Sequence, residues 1–347
     1  MNQTLNGIRR ILITILVAMG VGALFIVAIG ENPIDAYAAL FRGAFDGELR
    51  LGTTLAGFTP LLLTSIAFAV AAKAGAFNVG VEGEVFLGGI TAAYIGINWT
   101  FLPKPALYVA CFVGAMVVAA AWALIPAVLR AYYNVNEVCT TILMNTVALY
   151  ITSYLVSGPM SAGTANAQSL PVTVRLYQFM KPSSVNVGIF IAAITVIVII
   201  FMLQKSSWGY KIRTVLNPTH ADYVGIDSKK VFVGAMMLSG MLGGMAGCIE
   251  VLGVHGYFLN NFATGLGSNG MLAALIVKNN MVSTPFMAFF LAVLKSGAMG
   301  MQQSTGVPKS LVDTITAVFI IIATMETAFQ FTKKRKKKTE EKKEDKA

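Results

Sequence analysis

The sequence is poor in charged residues. They make up 12% of its 347 residues, whereas hydrophobic residues reach 56% and occur in long runs. A soluble domain typically carries about 25% charged residues. This shortage excludes an ordinary water-soluble globular domain and predicts an integral membrane protein.

Metal-binding, redox and hydrolytic motifs are also missing. The three cysteines form no Cys-x-x-Cys pair, and the two histidines, His220 and His255, lie far apart in the sequence. The usual metal and redox sites are therefore excluded. The sequence has no phosphate-binding loop, no GxSxG and no HExxH motif. We expect a chain that is not an enzyme and that has no cofactor of its own.

Apolar runs of about 20 residues, long enough to cross a bilayer, recur along the chain. The run 11–30 follows Arg9 and Arg10 and is too long for a signal peptide, so it predicts a retained first span. Ten spans are predicted, and eight or nine with re-entrant pieces is the alternative because the third and eighth are rich in glycine. The segments are 11–30, 51–72, 79–98, 105–129, 138–157, 185–203, 231–253, 263–277, 284–301 and 311–331.

The distribution of basic residues predicts the orientation. With both termini in the cytoplasm, most loop lysines and arginines fall on the cytoplasmic side, as the positive-inside rule requires. Residues 1–332 then form the transmembrane domain, and residues 333–347 form a disordered tail of mixed charge near the lipid surface. Acidic residues such as Glu340 and Glu341 dilute the basic tail and argue against nucleic-acid binding.

The segment 205–230 is the longest and most basic internal loop. Asn217 can cap a short helix that Pro218 starts, because the asparagine side chain accepts from free amides and proline fits the first turn. Gly225 would end that helix in a left-handed turn. A short helix over 219–224 is therefore predicted. It is either a docking element or part of an ordinary solvated loop.

A resemblance decides between these alternatives. Seven residues in this loop have the spacing found in the coupling loop of ABC importer permeases, and LSGMLGGMAGCIEVLG follows them. The resemblance is to permeases of the branched-chain amino acid, ribose and nucleoside type. The seven are Gly209, Arg213, Asn217, Pro218, Ala221, Gly225 and Ile226. The sequence departs from the family pattern at Leu216 and Thr219. Three further stretches, FNVGVEGEVFLGG, 135–159 and CIEVLGVHGYF, are similar to the nucleoside group, and the resemblance covers about residues 50–330.

The resemblance implies a nucleoside permease in the bacterial cell membrane. A simple-sugar or branched-chain amino acid permease is the alternative, and a secondary transporter would leave the loop motif unexplained. The implied partners are an ATPase with two nucleotide-binding halves, which binds the ATP, a second related permease in a heterodimer, and a substrate-binding lipoprotein. The residues implied to contact the ATPase are Arg213, Asn217, Pro218, Ala221 and Gly225.

Two stretches combine glycine with polar side chains inside apolar surroundings, near residues 77–89 and 262–276. Gly80-x-Glu82-Gly83 in the first has the spacing of Gly267-x-Asn269-Gly270 in the second. Such a stretch can break a helix if it faces protein or water. Because the stretches open spans that are five apart, they predict an all-α fold with an inverted five-plus-five repeat.

Polar and aromatic side chains in and near these breaks are candidates for lining a substrate route. Hydrogen bonding between helices is the alternative role for the polar ones. The candidates are Phe77, Asn78, Glu82, Asn136, Thr140, Asn145, Phe262 and Asn269. Lys295, inside the ninth predicted span, either extends its ammonium toward the interface, pairs with Glu250 or lines the route.

Overall fold

A computed structural model describes residues 19–28, 30–306, 310–314 and 317. In this part of the chain the structure is all-helical, with isolated β-bridges but no strands. The helices are α1 (Met19–Ala28), α2 (Pro33–Phe45), α3 (Gly47–Lys73), α4 (Val81–Asn98), α5 (Lys104–Tyr133), α6 (Glu137–Ser157), α7 (Gly188–Lys205), α8 (Ser207–Thr214), α9 (Pro218–Tyr223), α10 (Ser228–Ile249), α11 (Leu266–Ile276) and α12 (Thr284–Thr305). A π-helix, Glu250–His255, continues α10.

Six of the described helices are long and apolar enough to cross a membrane. They are α3, α5, α6, α7, α10 with its π-helical extension, and α12. The number rises to seven if α1 and α2, which are bent by 116°, count as one span. The prediction of an all-α polytopic protein is confirmed, while the count of ten and the inverted repeat stay predictions. Most of the predicted last span, part of the first and the tail 333–347 lie outside the described residues.

Two of the predicted spans differ from the observed helices. The third predicted span begins later, at Val81, because residues 74–80 are not helical. The eighth corresponds to α11, which has only 11 residues and is too short to cross a bilayer by itself. The non-helical segments thus lie upstream of the predicted breaks, since most of 77–89 and of 262–276 is helical. Helix α2 was not predicted.

The chain divides into two compact units, of which the first combines residues 1–45 with residues 294–347. Its described part packs α2 against the second half of α12. Gly43 and Gly300 lie where the two helix backbones touch, because an added Cβ on Gly43 would stand 2.7 Å from the Gly300 Cα. Small residues permit such close helix contacts in membranes.

The second unit, residues 46–293, is built around α3 and α10. In the apolar spanning part of each helix, the share of buried residues is 78% in α3 and 72% in α10. It is 33% in α5, 17% in α6 and 28% in α7. Glycines at intervals of three or four residues along α10 let its backbone contact α4 and α5. Gly240 and Gly244 meet the α5 backbone, and Gly247 meets α4. Helices α5, α6 and α7 therefore lie at the periphery of this unit.

Residues 158–187 connect α6 to α7, and we call this segment the strap. It lies against residues 252–258, where the π-helix that continues α10 ends. Its backbone amides donate to carbonyl groups there: Ser169 to Phe258, Val172 to Gly256 and Leu176 to Leu252, each at 2.9 Å. Side chains of the strap add to these bonds, with the Gln178 amide donating to the Gly253 carbonyl. Carbonyl groups that the helix end leaves without intrahelical partners are satisfied in this way.

Candidate functional site

The non-helical segment 74–80, which joins α3 to α4, is organised by Asn78. This side chain is fully buried. Its Oδ1 accepts from the Gly80 amide at 2.9 Å, and its Nδ2 donates to Glu84 Oε1 at 2.8 Å and to Ser239 Oγ at 2.9 Å. The segment is thereby tied to the first turn of α4 and to α10. The second oxygen of the buried Glu84 carboxyl group has no hydrogen-bond partner within the described residues.

Asn145 on α6 holds the start of α4 from the other side. Its Oδ1 accepts from the Gly83 amide at 2.8 Å, and its Nδ2 donates to the Val79 carbonyl at 2.9 Å. The first amides of a helix lack intrahelical acceptors, so a side chain from a neighbouring helix supplies one. The structure gives Asn78 and Asn145 a structural role. A contact of either with substrate stays a prediction.

The second non-helical segment precedes α11. It begins at Gly256 and ends at Gly265, and both have positive φ, at 78° and 81°. Phe262 packs edge-to-face against Phe86 of α4 and against Phe258, with ring centroids 5.7 and 5.1 Å apart. Asn269 donates to the Gly265 carbonyl and so bonds within the start of α11.

The two helix starts meet. The Ser268 hydroxyl donates to Glu82 Oε2 at 3.2 Å, and an added Cβ on Gly267 would lie 2.7 Å from the Glu82 Cβ. Helix N-termini carry partial positive charge, which favours a carboxylate between them. Glu82 is half-buried, and the aromatic ring of Phe262 packs on the same helix, α4. This arrangement offers a hydrogen-bond acceptor and an aromatic face, which are the groups that a polyhydroxylated ring compound would need.

Three route candidates remain: Phe77, Asn136 and Thr140. Within the described residues, none of them has a hydrogen bond or ring contact with Glu82, Ser268 or Phe262. Phe77 packs edge-to-face on Phe68 of α3, at 5.0 Å between ring centroids. Asn136 caps α6 by accepting from the Val138 amide at 2.9 Å, and the Thr140 hydroxyl donates to the Asn136 carbonyl at 3.2 Å. Their roles in a route stay predictions.

Sequence reasoning missed a further polar pair. Glu250 Oε2 lies 3.6 Å from His255 Nε2 in the π-helix. Residues five apart lie on different sides of an α-helix and share a side only in the wider π-helix. No sequence pattern predicted that the α-helix changes to a π-helix here. The pairing of Glu250 with Lys295 stays a prediction.

The loop 205–230 contains the predicted short helix, α9. Asn217 accepts from the His220 amide at 3.4 Å, Pro218 occupies the first turn, and Gly225 follows with a φ of +74°. Both end signals read from the sequence are confirmed. At the start of α10, the backbone amide of Lys230 donates to the Asp227 carboxylate and lowers the pKa of that carboxyl group.

One of the predicted ATPase contacts, Ala221, has a buried side chain, whereas Arg213, Asn217, Pro218 and Gly225 are exposed. Contact of these residues with the ATPase stays a prediction. Ala221 lies on the inner side of α9 and is fully buried. Arg213 is exposed, and its guanidinium donates to the Leu203 carbonyl at the end of α7, which ties α8 to that helix. The exposed side chains of α9 and its flank include two large ones, Tyr223, 89% exposed, and Leu216, 64% exposed.

A cavity of about 460 Å³ separates α9 from the ends of α3 and α5. Arg130, Lys229 and Asp222 contribute charged groups to its wall. The Arg130 guanidinium also pairs with Glu137 at 3.1 Å. Across the described ranges, no three His, Cys, Asp or Glu side chains cluster so as to hold a metal ion.

Comparisons with known proteins identify relatives. Residues 50–324 match the family described as branched-chain amino acid transport system / permease component. The chain is 32% identical to the guanosine ABC transporter permease protein NupP of Bacillus subtilis, over 94% of this chain and 96% of that protein. It is 32% identical to the glucose ABC transporter permease protein TsgB13 of Haloferax volcanii, over 89% and 85%. It is 30% identical to the nucleoside ABC transporter permease protein NupB of Lactococcus lactis, over 92% and 91%. No solved structure matches the chain.

Proposed function

The chain belongs to the family of branched-chain amino acid transport system permease components, and from this membership we infer that it is the membrane-spanning subunit of an ABC importer of nucleosides. It is a multi-pass membrane protein and a transport component, not an enzyme. The observation that carries the nucleoside assignment is the similarity, over more than nine tenths of the chain, to permeases named for guanosine and for nucleosides. The relative named for glucose makes a sugar the second candidate.

Uptake measurements test the substrate. The gene is deleted, and uptake of radiolabelled guanosine, adenosine, uridine, ribose and glucose is measured at low concentration. We expect loss of nucleoside uptake, restored by the gene on a plasmid, with ribose and glucose uptake unchanged. Loss of glucose or ribose uptake alone would assign the chain to a sugar branch of the same family.

Permeases of this family associate with an ATPase and a binding protein. For this chain we propose an ATPase with two nucleotide-binding halves, a second related permease and a substrate-binding lipoprotein. ATP is then bound by the ATPase and not by this chain. A complex purified in detergent should contain at least three kinds of subunit. An active complex with two copies of this chain and no second permease would overturn the heterodimer.

Helix α9 is the proposed contact with the ATPase. It exposes Tyr223, and the cavity beside it leaves room for movement toward the ends of α3 and α5. A cysteine in place of Tyr223 should form crosslinks to the ATPase, because this side chain is exposed whereas Ala221 is buried. Absence of a crosslink in every nucleotide state would count against docking.

Gly225 provides a matched pair of variants for the same proposal. It has a φ of +74° and no atoms within 4 Å of an added Cβ, so only backbone strain opposes a side chain there. Asparagine tolerates this conformation and valine does not. We expect Gly225→Val to lose uptake while Gly225→Asn retains most of it. Equal uptake by the two variants would argue against a role for this turn in coupling.

The meeting point of α4 and α11 is proposed as part of the substrate route. Glu82, Ser268 and Phe262 are its hydrogen-bonding and aromatic groups. Two helix starts that converge are typical of transporter routes. Glu82→Gln keeps the shape and an acceptor, so it should retain more guanosine uptake than Glu82→Ala, at unchanged protein level. Full uptake by Glu82→Ala would remove this residue from the route.

The inverted repeat and the ten-span topology are proposed on related grounds. In the second unit α10 packs on α4 through Gly247, and α3 packs on α11 through Gly270. Such reciprocal packing is what a pseudo-two-fold axis between the pairs α3–α4 and α10–α11 would produce. With ten spans both termini are cytoplasmic, and a protease added to sealed cells should leave tags at both ends intact.

A further inference from the structure

The side of α6 that faces away from the rest of the second unit carries a line of five residues, which we call the α6 stripe. Its members follow one another at intervals of three or four positions, so they share one side of the helix. They are Cys139, Leu143, Thr146, Tyr150 and Tyr154. All five are exposed, with Leu143, Tyr150 and Tyr154 at 65%, 68% and 71%. The stripe is therefore open to whatever surrounds α6.

Three hydroxyl groups on the stripe have no hydrogen-bond partner among the described residues. Those of Thr146, Tyr150 and Tyr154 make no hydrogen bond inside the part of the chain that the structure describes. On the buried side of the same helix, Thr141 and Thr152 donate to carbonyls one turn earlier, at 2.7 and 3.0 Å. Hydrocarbon offers no hydrogen-bond partner, so polar groups left alone in lipid are costly.

Helix α7 shows what an exposed side suited to lipid looks like. It is about as exposed as α6, with 28% against 17% of the spanning residues buried. From its start to Phe201 its exposed side chains are all hydrocarbon, and polar exposed side chains occur only at its last two residues, Gln204 and Lys205. The hydrocarbon ones are Phe190, Ile194, Ile197, Val198 and Phe201. Helices α6 and α7 are thus similarly exposed, but the exposed side of α6 carries hydroxyl groups. The side of α7 fits lipid tails, and the α6 stripe fits water, a solute or another protein.

An aromatic belt at the membrane surface does not explain the stripe. Tyrosines are enriched at the two interfaces of a bilayer, and Tyr154 lies within one turn of the end of α6 at Ser157. Thr146 and Tyr150 lie about 14 and 20 Å from the start of the helix at 1.5 Å per residue. These depths fall well inside a helix that is about 31 Å long. Only Tyr154 fits the belt.

The opposite side of α6 is the one that holds the start of α4. It presents Thr141, Asn145, Ala148 and Thr152 to the interior, and Asn145 bonds the Gly83 amide and the Val79 carbonyl. The stripe and the start of α4 are thus separated by the thickness of one helix. Asn145 thus joins the helix that carries the stripe to the start of α4.

We propose that the α6 stripe is one wall of the nucleoside route and faces the paired permease across that route. The proposal rests on the function proposed above. The two tyrosine rings supply flat faces for a heterocyclic base, because aromatic side chains stack on bases. The hydroxyl groups supply partners for the ribose hydroxyls. The paired permease closes the route opposite the stripe and keeps lipid away from it.

Thiol labelling of the complete importer tests this. Charged thiosulfonates react with thiolates in water, and thiols in lipid stay protonated and unreactive. Cys139 is the exposed one of the three cysteines, so it is first replaced by serine. Thr146→Cys and Val198→Cys are then compared in that background. We expect Thr146→Cys to react at least tenfold faster than Val198→Cys, and guanosine to slow the reaction. Equal, slow rates at both positions would overturn the proposal.

Transport measurements separate a wall of the route from a contact between subunits. Tyr150→Ala should lower guanosine uptake at least tenfold, Tyr150→Phe should retain most of it, and Ile197→Ala on α7 should leave it unchanged. All variants should purify with the second permease. Unchanged uptake by Tyr150→Ala, or loss of the second permease from that complex, would contradict the proposal. If the unaltered importer takes up glucose and no nucleoside, the proposed function fails, while the labelling contrast still decides whether the stripe faces a route.

Discussion

The segment before α4 and the segment before α11 are built from similar residues and are held in different ways. Asn78 in the first is fully buried, and partners on α4 and α10 occupy its amide. In the second, Asn269 is only half-buried, and its amide bonds the start of its own helix. Glycine and amide groups therefore mark the place where a helix starts inside the membrane protein. The neighbouring helices decide whether that place is closed or open.

The largest expected loss of stability comes from a substitution in the segment before α4, which we call closed because Asn78 is buried there. Asn78→Leu would remove three hydrogen bonds and leave the Glu84 carboxyl group buried beside hydrocarbon. We expect a loss of more than about 3 kcal/mol in the free energy of unfolding and little protein in the membrane. Asn269→Leu should cost less than about 1 kcal/mol. Thermal unfolding in detergent measures both, and equal losses would refute the distinction between the segments.

A smaller loss is expected at the neighbouring helix. Asn145→Leu would leave the Gly83 amide and the Val79 carbonyl without partners, at a cost of about 2–3 kcal/mol. Thr146→Leu changes the next residue, which is exposed, and should alter stability by less than about 0.5 kcal/mol. The same unfolding assay compares the two variants. A stable Asn145→Leu protein would mean that α6 is not needed to hold α4.

The smallest effects come from the two serines, which sharpen the comparison because the residue type is the same. Ser239 is buried and accepts from Asn78, whereas Ser268 is exposed and donates to Glu82. Ser239→Ala should cost about 1 kcal/mol and Ser268→Ala less than about 0.5 kcal/mol. Guanosine uptake should respond in the opposite order, with the larger decrease for Ser268→Ala. The reverse order in both assays would place the route at the closed segment.

Features that depend on local chemistry were predictable from the sequence. Asn217, Pro218 and Gly225 specify both ends of α9 through side-chain capping, a fixed φ and a positive φ, and the structure has all three. Long apolar runs likewise predicted the long helices. These signals act within a few residues, so they can be read along the chain.

Partners brought together by the fold could not be predicted. Ser239 lies 161 residues from Asn78, and Asn145 lies 62 from Gly83. Nothing in a single sequence says which polar residues meet across helices. The burial of Ala221 was missed for the same reason, because it depends on how α9 packs. The short length of α11 was missed because apolar composition does not reveal that the chain stays non-helical until Gly265.

The strap has a consequence for the synthesis of the protein. Its Ser169 pairs with Phe258, a residue that the ribosome adds 89 positions later. At roughly 5–20 residues per second, about 5 to 20 s separate the two. During that interval the strap lacks its partners at residues 252–258 and has only those made earlier, such as the Gly96 carbonyl that accepts from the Thr173 amide. The strap gains its full set of hydrogen bonds only after residues 252–258 have been made, so nascent chains arrested before Phe258 should be cleaved in the strap faster than the finished protein.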